Sequence, residues 1–135
     1  MIEARWLLSR GGDPRPALAE ADRVARKVLA IDAGAVAAML VVAERYRWEA
    51  EGLSRRKART SEPIRLGIEA VARAKAAEPQ NAEASAIEAA LLFIDARDRY
   101  PESAAELRKR AGALAELALR AKPALSRDYG SALLR

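Results

Sequence analysis

Asp95 and Asp98 form a close acidic pair, because their spacing places both carboxylates on one face of a helix. Such pairs can serve glycoside hydrolysis or metal binding. Two arginines adjoin this pair, however, and no second cluster offers the further carboxylates that helical metal sites use. The chain also has no cysteine and no histidine, which excludes thiol nucleophiles, imidazole bases and the usual zinc sites. We therefore expect no enzyme activity and no cofactor or metal.

An arginine followed by a tryptophan occurs twice, at Arg5-Trp6 and at Arg47-Trp48. These two residue types are enriched among the side chains that dominate protein–protein interfaces. Both pairs could therefore present a cationic and aromatic surface to a partner. The alternative is structural: the tryptophans fill gaps where long helices pass their neighbours, and the arginine stems lie alongside.

A basic cluster surrounds the predicted turn near residue 60. Its members are Arg45, Arg55, Arg56, Lys57, Arg59 and Arg65. The cluster could attract an acidic peptide, a phosphate backbone or an anionic surface, and a solvated loop is the alternative. Nucleic acid is the weaker partner, because the sequence has no base-reading motif, no aromatic stacking platform and no glycine-rich clamp. The formal charge of +5 alone does not decide between these partners.

The elements that carry these residues are predicted to be entirely helical. About a quarter of the chain is alanine, only 4% is aromatic, and no window alternates apolar and polar residues as a strand does. Proline and glycine punctuation divides the chain into seven segments, 2–10, 16–31, 35–57, 63–77, 82–99, 102–121 and 124–134. The connections are short, so neighbouring helices are expected to pack antiparallel. Pairs such as Asp22 and Arg26 suggest exposed, solvated helix faces.

The turns that follow Val28, Ala74 and Ala118 recur at an interval of about 45 residues. A repeat of helix, tight turn and helix is the simplest cause. In the same register, small residues stand seven positions earlier, at Ala21, Gly67 and Ala111. Small residues at this spacing allow two helices to approach closely.

The order of Gly67, Val71, Ala74 and Pro79 resembles the second helix of the tetratricopeptide family. The copy around Ala111 keeps the spacing, but alanine stands where the family has a bulkier residue. The copy around Ala21 lacks the proline. The interval is also about ten residues longer than the family's usual 34. The resemblance implies stacked antiparallel helical hairpins in a TPR-like α-solenoid of about seven helices. The corresponding units are 1–15 (partial), 16–60, 61–101 and 102–135.

The segment from Gly12 to Leu18, followed by an alanine-rich helix, also resembles repeat tails attached to bacterial serine/threonine kinases. No glycine-rich phosphate loop, catalytic aspartate loop or Asp-Phe-Gly sequence accompanies it, so this resemblance implies no kinase activity.

In the tetratricopeptide family, the first helix of each hairpin lines a concave groove that binds the ligand. Position by position, the resemblance places seven residues in such a groove: Glu44, Arg47, Trp48, Glu83, Ile87, Phe93 and Arg127. It therefore implies a scaffold that binds a protein or peptide segment.

Both ends of the sequence read as incomplete hairpins without polar capping helices. We therefore expect either a longer parent protein or self-association through the uncapped terminal helices. The first ten residues lack the pattern of a signal peptide, and no stretch is apolar enough to span a membrane. These features indicate a cytoplasmic protein without membrane partners.

Overall fold

The computed structural model describes residues 15–133, and within this range it contains helices and short connections but no strand. The prediction of an all-α protein is confirmed for this part of the chain. The helices are α1 (Arg15–Ile31), α2 (Val36–Arg55), α3 (Ser61–Ala77), α4 (Ala82–Arg97), α5 (Pro101–Ala121) and α6 (Leu125–Leu133). They correspond to six of the seven predicted segments, whereas the segment 2–10 lies outside the described residues. Each predicted unit from residue 16 onward contains two of these helices.

Local backbone chemistry explains where α4 and α5 begin. The side chain of Asn81 accepts a hydrogen bond at 2.9 Å from the backbone N–H of Ala84, which satisfies one of the free donors in the first turn of α4. Pro101 occupies the first turn of α5, where its missing N–H is not needed. Both starts agree with the predicted punctuation.

The turn between α2 and α3 differs from the prediction by two residues on each side. Helix α2 ends at Arg55 because Lys57 adopts a left-handed backbone conformation with φ of 55°. Glycine usually occupies this position after a helix, and its absence here concealed the helix end. Helix α3 begins at Ser61, because Pro63 fits within a first helical turn and does not have to begin the helix.

The helices pack against their neighbours in the chain, and the even-numbered helices also pack side by side. Each helix contacts the next one along the chain, and in addition α2 contacts α4 and α4 contacts α6. Helix α4 therefore touches four other helices. Its residues between Ala84 and Ala96 are nearly all buried and apolar on every side, as expected for a helix enclosed by its neighbours.

Small side chains set the distance between the helices. Gly67 in α3 is buried, and a Cβ atom built on it would lie 2.9 Å from Cδ1 of Leu91 in α4 and 3.3 Å from Cβ of Tyr46 in α2. Ala111 is buried at the equivalent place in α5, whereas Ala21 in α1 is only partly buried. The close approach predicted from the small residues is thus strongest at Gly67.

Glu88 interrupts the apolar character of α4 and connects it to two neighbouring helices. One carboxylate oxygen of Glu88 pairs with the Lys75 ammonium of α3 at 2.5 Å, and the other lies 3.6 Å from the Arg110 guanidinium of α5. These two ion pairs explain how an acidic residue is accommodated in a helix that is otherwise apolar.

Candidate binding site

Three residues of the predicted groove, Glu44, Arg47 and Glu83, meet around the side chain of Tyr129 in α6. The Tyr129 hydroxyl donates a hydrogen bond to Oε1 of Glu44 in α2 and lies 3.3 Å from Oε1 of Glu83 in α4. One hydroxyl therefore connects three helices. The structure brings the predicted residues together, but around a side chain of the same protein.

Arg47 and Glu44 form an ion pair inside the helix packing. The Arg47 Nε and Nη2 atoms donate to Oε2 of Glu44 at 3.2 and 2.9 Å, and the two side chains are only 4% and 2% exposed. The guanidinium also lies over the rings of Trp48, at 4.0 Å from the ring centroid, and Tyr129, at 5.1 Å. Removing two charges from water is costly, and their attraction offsets that cost only with good geometry and further hydrogen bonds. The pair therefore holds α2 to α6 and leaves no surface for a partner.

The Tyr129 phenol stays protonated in this environment. Burial raises its pKa well above the ordinary value of 10.0, and the adjacent Glu44 carboxylate raises the pKa further. Because the neutral phenol keeps its proton, it remains a hydrogen-bond donor to Glu44.

Two of the other four predicted groove residues are also buried. Ile87 has no exposed surface, and Phe93 is buried in a cluster with Leu92 and Ala111. Of the seven predicted residues, Arg127 lies exposed on α6, and Trp48 on α2 and Glu83 on α4 are partly exposed. The structure thus differs from an open groove at Glu44, Arg47, Ile87 and Phe93, because helix packing covers these side chains.

Trp48 lines a cleft of about 460 Å³ between α1 and α2. Its apolar part includes Leu18 and Ala19 of α1, and its charged part includes arginines of both helices. Those arginines are Arg15, Arg45, Arg55 and Arg56, next to the acidic residues Glu49 and Glu51. The cleft therefore combines one predicted groove residue with three members of the basic cluster, although no pattern in the sequence predicted that the two sets would meet.

Two buried or nearly buried carboxylates hold the arginines of this region. Oδ2 of Asp22 accepts hydrogen bonds from Arg26 at 2.8 Å and from Arg45 at 2.9 Å. Asp22 is therefore a buried connection between α1 and α2, and the prediction of an exposed helix face is wrong at this residue.

Glu51 connects α2 to α4 in a similar way. Its Oε2 atom accepts a hydrogen bond from Arg97 at 2.9 Å, and its Oε1 atom pairs with Arg55 at 3.4 Å. Each of the two carboxylates, Asp22 and Glu51, is thus shared by at least two guanidinium groups.

The remaining members of the basic cluster divide into paired and unpaired cations. Arg65 forms ion pairs with Glu69 at 3.3 Å and with Glu62 at 3.9 Å. The side chains of Arg56, Lys57 and Arg59 are exposed, and none of them forms an ion pair or hydrogen bond with a residue in the range 15–133. These three cations follow one another along the turn after α2.

The carboxylates considered for catalysis have separate partners. Asp95 accepts a hydrogen bond from Arg99 at 3.1 Å, and Asp98 accepts one from the Thr60 hydroxyl at 3.2 Å. Across residues 15–133, no group of three acidic side chains could hold a metal ion. No helix in the described part of the chain is long and apolar enough to cross a membrane.

Sequence reasoning missed Tyr129 and the burial of Asp22. The sequence does contain a signal for the contact between Glu44 and Tyr129. Glu44 directly follows the apolar run from Ala38 to Ala43, and an acidic residue in such a register needs a buried partner. No local signal identifies Tyr129 as that partner, because it lies far away in the sequence.

Comparison of the chain with models of protein families, with curated proteins and with solved structures finds no match.

Proposed function

We propose that this chain is a protein-interaction module that holds a segment of a partner protein in the cleft between α1 and α2. The observation that carries this proposal is the cleft itself, which the partly exposed Trp48 lines together with Leu18, Ala19 and four arginines. Tryptophan and arginine are the residues that most often dominate binding free energies at protein interfaces. The volume of about 460 Å³ also falls within the range of pockets that enclose a ligand group.

In the same proposal, the helices belong to a TPR-like α-solenoid of stacked hairpins with about seven helices. The row of contacts from α2 to α4 and from α4 to α6 supports this arrangement, because stacked hairpins place alternate helices side by side. The tight approach at Gly67 supports it as well, since the family has a small residue there. Repeat scaffolds of this kind serve unrelated partners, so the partner must be identified from the cleft.

The first test compares captured proteins for two matched double variants. Arg55→Glu/Arg56→Glu reverses two cleft charges, of which one is ion-paired and one is not. Arg108→Glu/Arg120→Glu reverses one paired and one unpaired arginine on the exposed side of α5. Both variants carry the same net charge, and circular dichroism verifies their helicity.

Affinity capture from the source lysate, read by mass spectrometry, then separates cleft binding from nonspecific attraction. We expect proteins that the unchanged chain and the α5 variant retain and the cleft variant loses. If the cleft variant captures the same proteins as the α5 variant, the cleft does not hold the partner and the proposal fails.

Self-association is a second candidate, and a surface of α1 favours it. Val24, Val28 and Ile31 follow helical spacing on α1 and are exposed, with Ile31 90% exposed. A second copy could cover this apolar stripe. Light scattering over a concentration series should show association that Val28→Glu abolishes, and a strict monomer at high concentration removes this candidate.

A further inference from the structure

We infer that the segment held in the α1–α2 cleft is acidic and places an apolar side chain against Trp48. This inference rests on the proposed function and specifies the chemistry of the partner. The charges around the cleft indicate an acidic partner, and the apolar residues within it indicate an apolar side chain.

Two carboxylates near the cleft are each shared by two arginines. Asp22 is bound by Arg26 and Arg45, and Glu51 is bound by Arg55 and Arg97. One carboxylate neutralises only one guanidinium, so each of these two groups leaves one positive charge in excess, and Glu49, which also lines the cleft, offsets only one of the two. Two of the arginines concerned, Arg45 and Arg55, line the cleft.

The unpaired cations extend this positive charge beyond the cleft. Arg56 lines the cleft, and Lys57 and Arg59 follow it in the exposed turn before α3. Within the described residues these three side chains have no counter-charge. A segment that leaves the cleft along this turn would gain from further acidic residues, because complementary charge favours association and excludes basic competitors.

The apolar part of the cleft argues for a peptide over a purely charged polymer. Ala19 is exposed and Trp48 is partly exposed in this lining, whereas Leu18 is already buried, and covering Ala19 and Trp48 favours an apolar group in the partner. Nucleic acid could bind the arginines through phosphate and stack a base on an aromatic ring. The Arg47 guanidinium already covers a face of the Trp48 indole at 4.0 Å, which leaves less of the ring for a base.

The experiment uses Trp48 as its reporter. The chain has two tryptophans, so Trp6→Phe leaves Trp48 as the only one. This protein is titrated with three peptides of equal length, which combine glutamate with leucine, glutamate with serine, or lysine with leucine, and with a single-stranded DNA of matched charge. We expect the glutamate–leucine peptide to change the emission of Trp48 and to bind at least about tenfold more tightly than each of the other probes, with an affinity that falls as salt is added.

The charge-reversal variants complete the test. Arg55→Glu/Arg56→Glu should weaken binding of the glutamate–leucine peptide by at least about tenfold, whereas Arg108→Glu/Arg120→Glu should leave it unchanged apart from the small effect of net charge. The anisotropy of a labelled peptide, measured with the otherwise unchanged chain, gives the same comparison without altering Trp6.

Each other result contradicts a defined part of the reasoning. If the lysine–leucine peptide changes Trp48 emission and binds equally well, the acidic chemistry is wrong while partner binding in the cleft stands. If the cleft variant binds the glutamate–leucine peptide as tightly as the α5 variant does, the cleft does not hold the peptide, and the proposed function fails with the inference. If DNA binds more tightly than every peptide, the partner is nucleic acid and the inference is wrong. If no peptide changes Trp48 emission or anisotropy, both the inference and the proposed function fail.

Discussion

Replacing Gly67 with alanine tests whether this glycine sets the distance between α3 and its neighbours. The added methyl group would lie 2.9 Å from Cδ1 of Leu91, 3.1 Å from Cδ2 of the same residue and 3.3 Å from Cβ of Tyr46. Leu91 can move its side chain, but it is fully buried in α4 and has little space to do so. Cβ of Tyr46 can move only with the backbone of α2.

Two opposing effects determine the size of the change. Alanine in place of glycine within a helix gains about 0.5–1 kcal/mol, because the unfolded chain loses conformational freedom. Overpacking a well-filled core costs about 1–3 kcal/mol. Gly112 in α5 provides the control, since nothing lies within 4 Å of a Cβ atom built there. We expect Gly112→Ala to stabilise the protein and Gly67→Ala to be less stable than Gly112→Ala by about 1–3 kcal/mol.

Urea unfolding followed by circular dichroism measures both free energies under the same conditions. A double-mutant cycle with Leu91→Ala then locates the clash, because the added methyl group should cost less when the leucine methyls are absent. If Gly67→Ala stabilises the chain as much as Gly112→Ala does, α3 does not approach α4 as closely as described and the reasoning is refuted.

Three further predictions concern polar contacts. Glu44→Leu leaves the buried Arg47 without its counter-charge and should lower the free energy of unfolding by about 3–5 kcal/mol. Adding Arg47→Met should recover much of that loss, because no buried charge then remains unpaired. Urea titrations that show no recovery would contradict the ion pair. The Tyr129 phenol ionises near pH 10 in the unfolded chain but at higher pH in the folded one, so its stabilising effect is complete below about pH 10 and falls above it by up to about 1.4 kcal/mol per pH unit. Tyr129→Phe should lose stability less steeply in alkaline titrations, and equal slopes would count against this pKa shift. Asn81→Ala should cost about 1 kcal/mol while Asn81→Asp costs less, because aspartate also caps a helix; equal thermal midpoints for the two would argue against the cap.

Helix positions could be predicted because their signals are local. Asn81, Pro101 and the prolines of the other turns act within one helical turn, and the structure places α4 and α5 where these residues indicate. The end of α2 was harder to predict, because Lys57 has a left-handed backbone conformation that glycine usually adopts. Since a lysine stands where glycine is usual, the sequence does not indicate that α2 ends there.

The candidate site was harder to predict because its contacts join distant residues. Arg47 and Trp48 are adjacent in sequence, yet one is buried against Tyr129 of α6 and the other lines a cleft with α1. Helical spacing tells which residues share a face, but it does not tell which neighbouring helix covers that face. The same limit applies to Asp22, whose pairing with Arg45 depends on how α1 packs on α2.

The central position of α4 has a consequence for the order in which the fold opens. Helix α4 contacts four helices, whereas the contacts of α1 within the described residues are mainly with α2. The backbone amides of α4 should therefore exchange with deuterium only when the whole chain unfolds, while those of α1 should exchange through a local opening of lower free energy. The cleft lies between α1 and α2. An occupant that contacts both helices would hold α1 against α2 and slow exchange throughout α1.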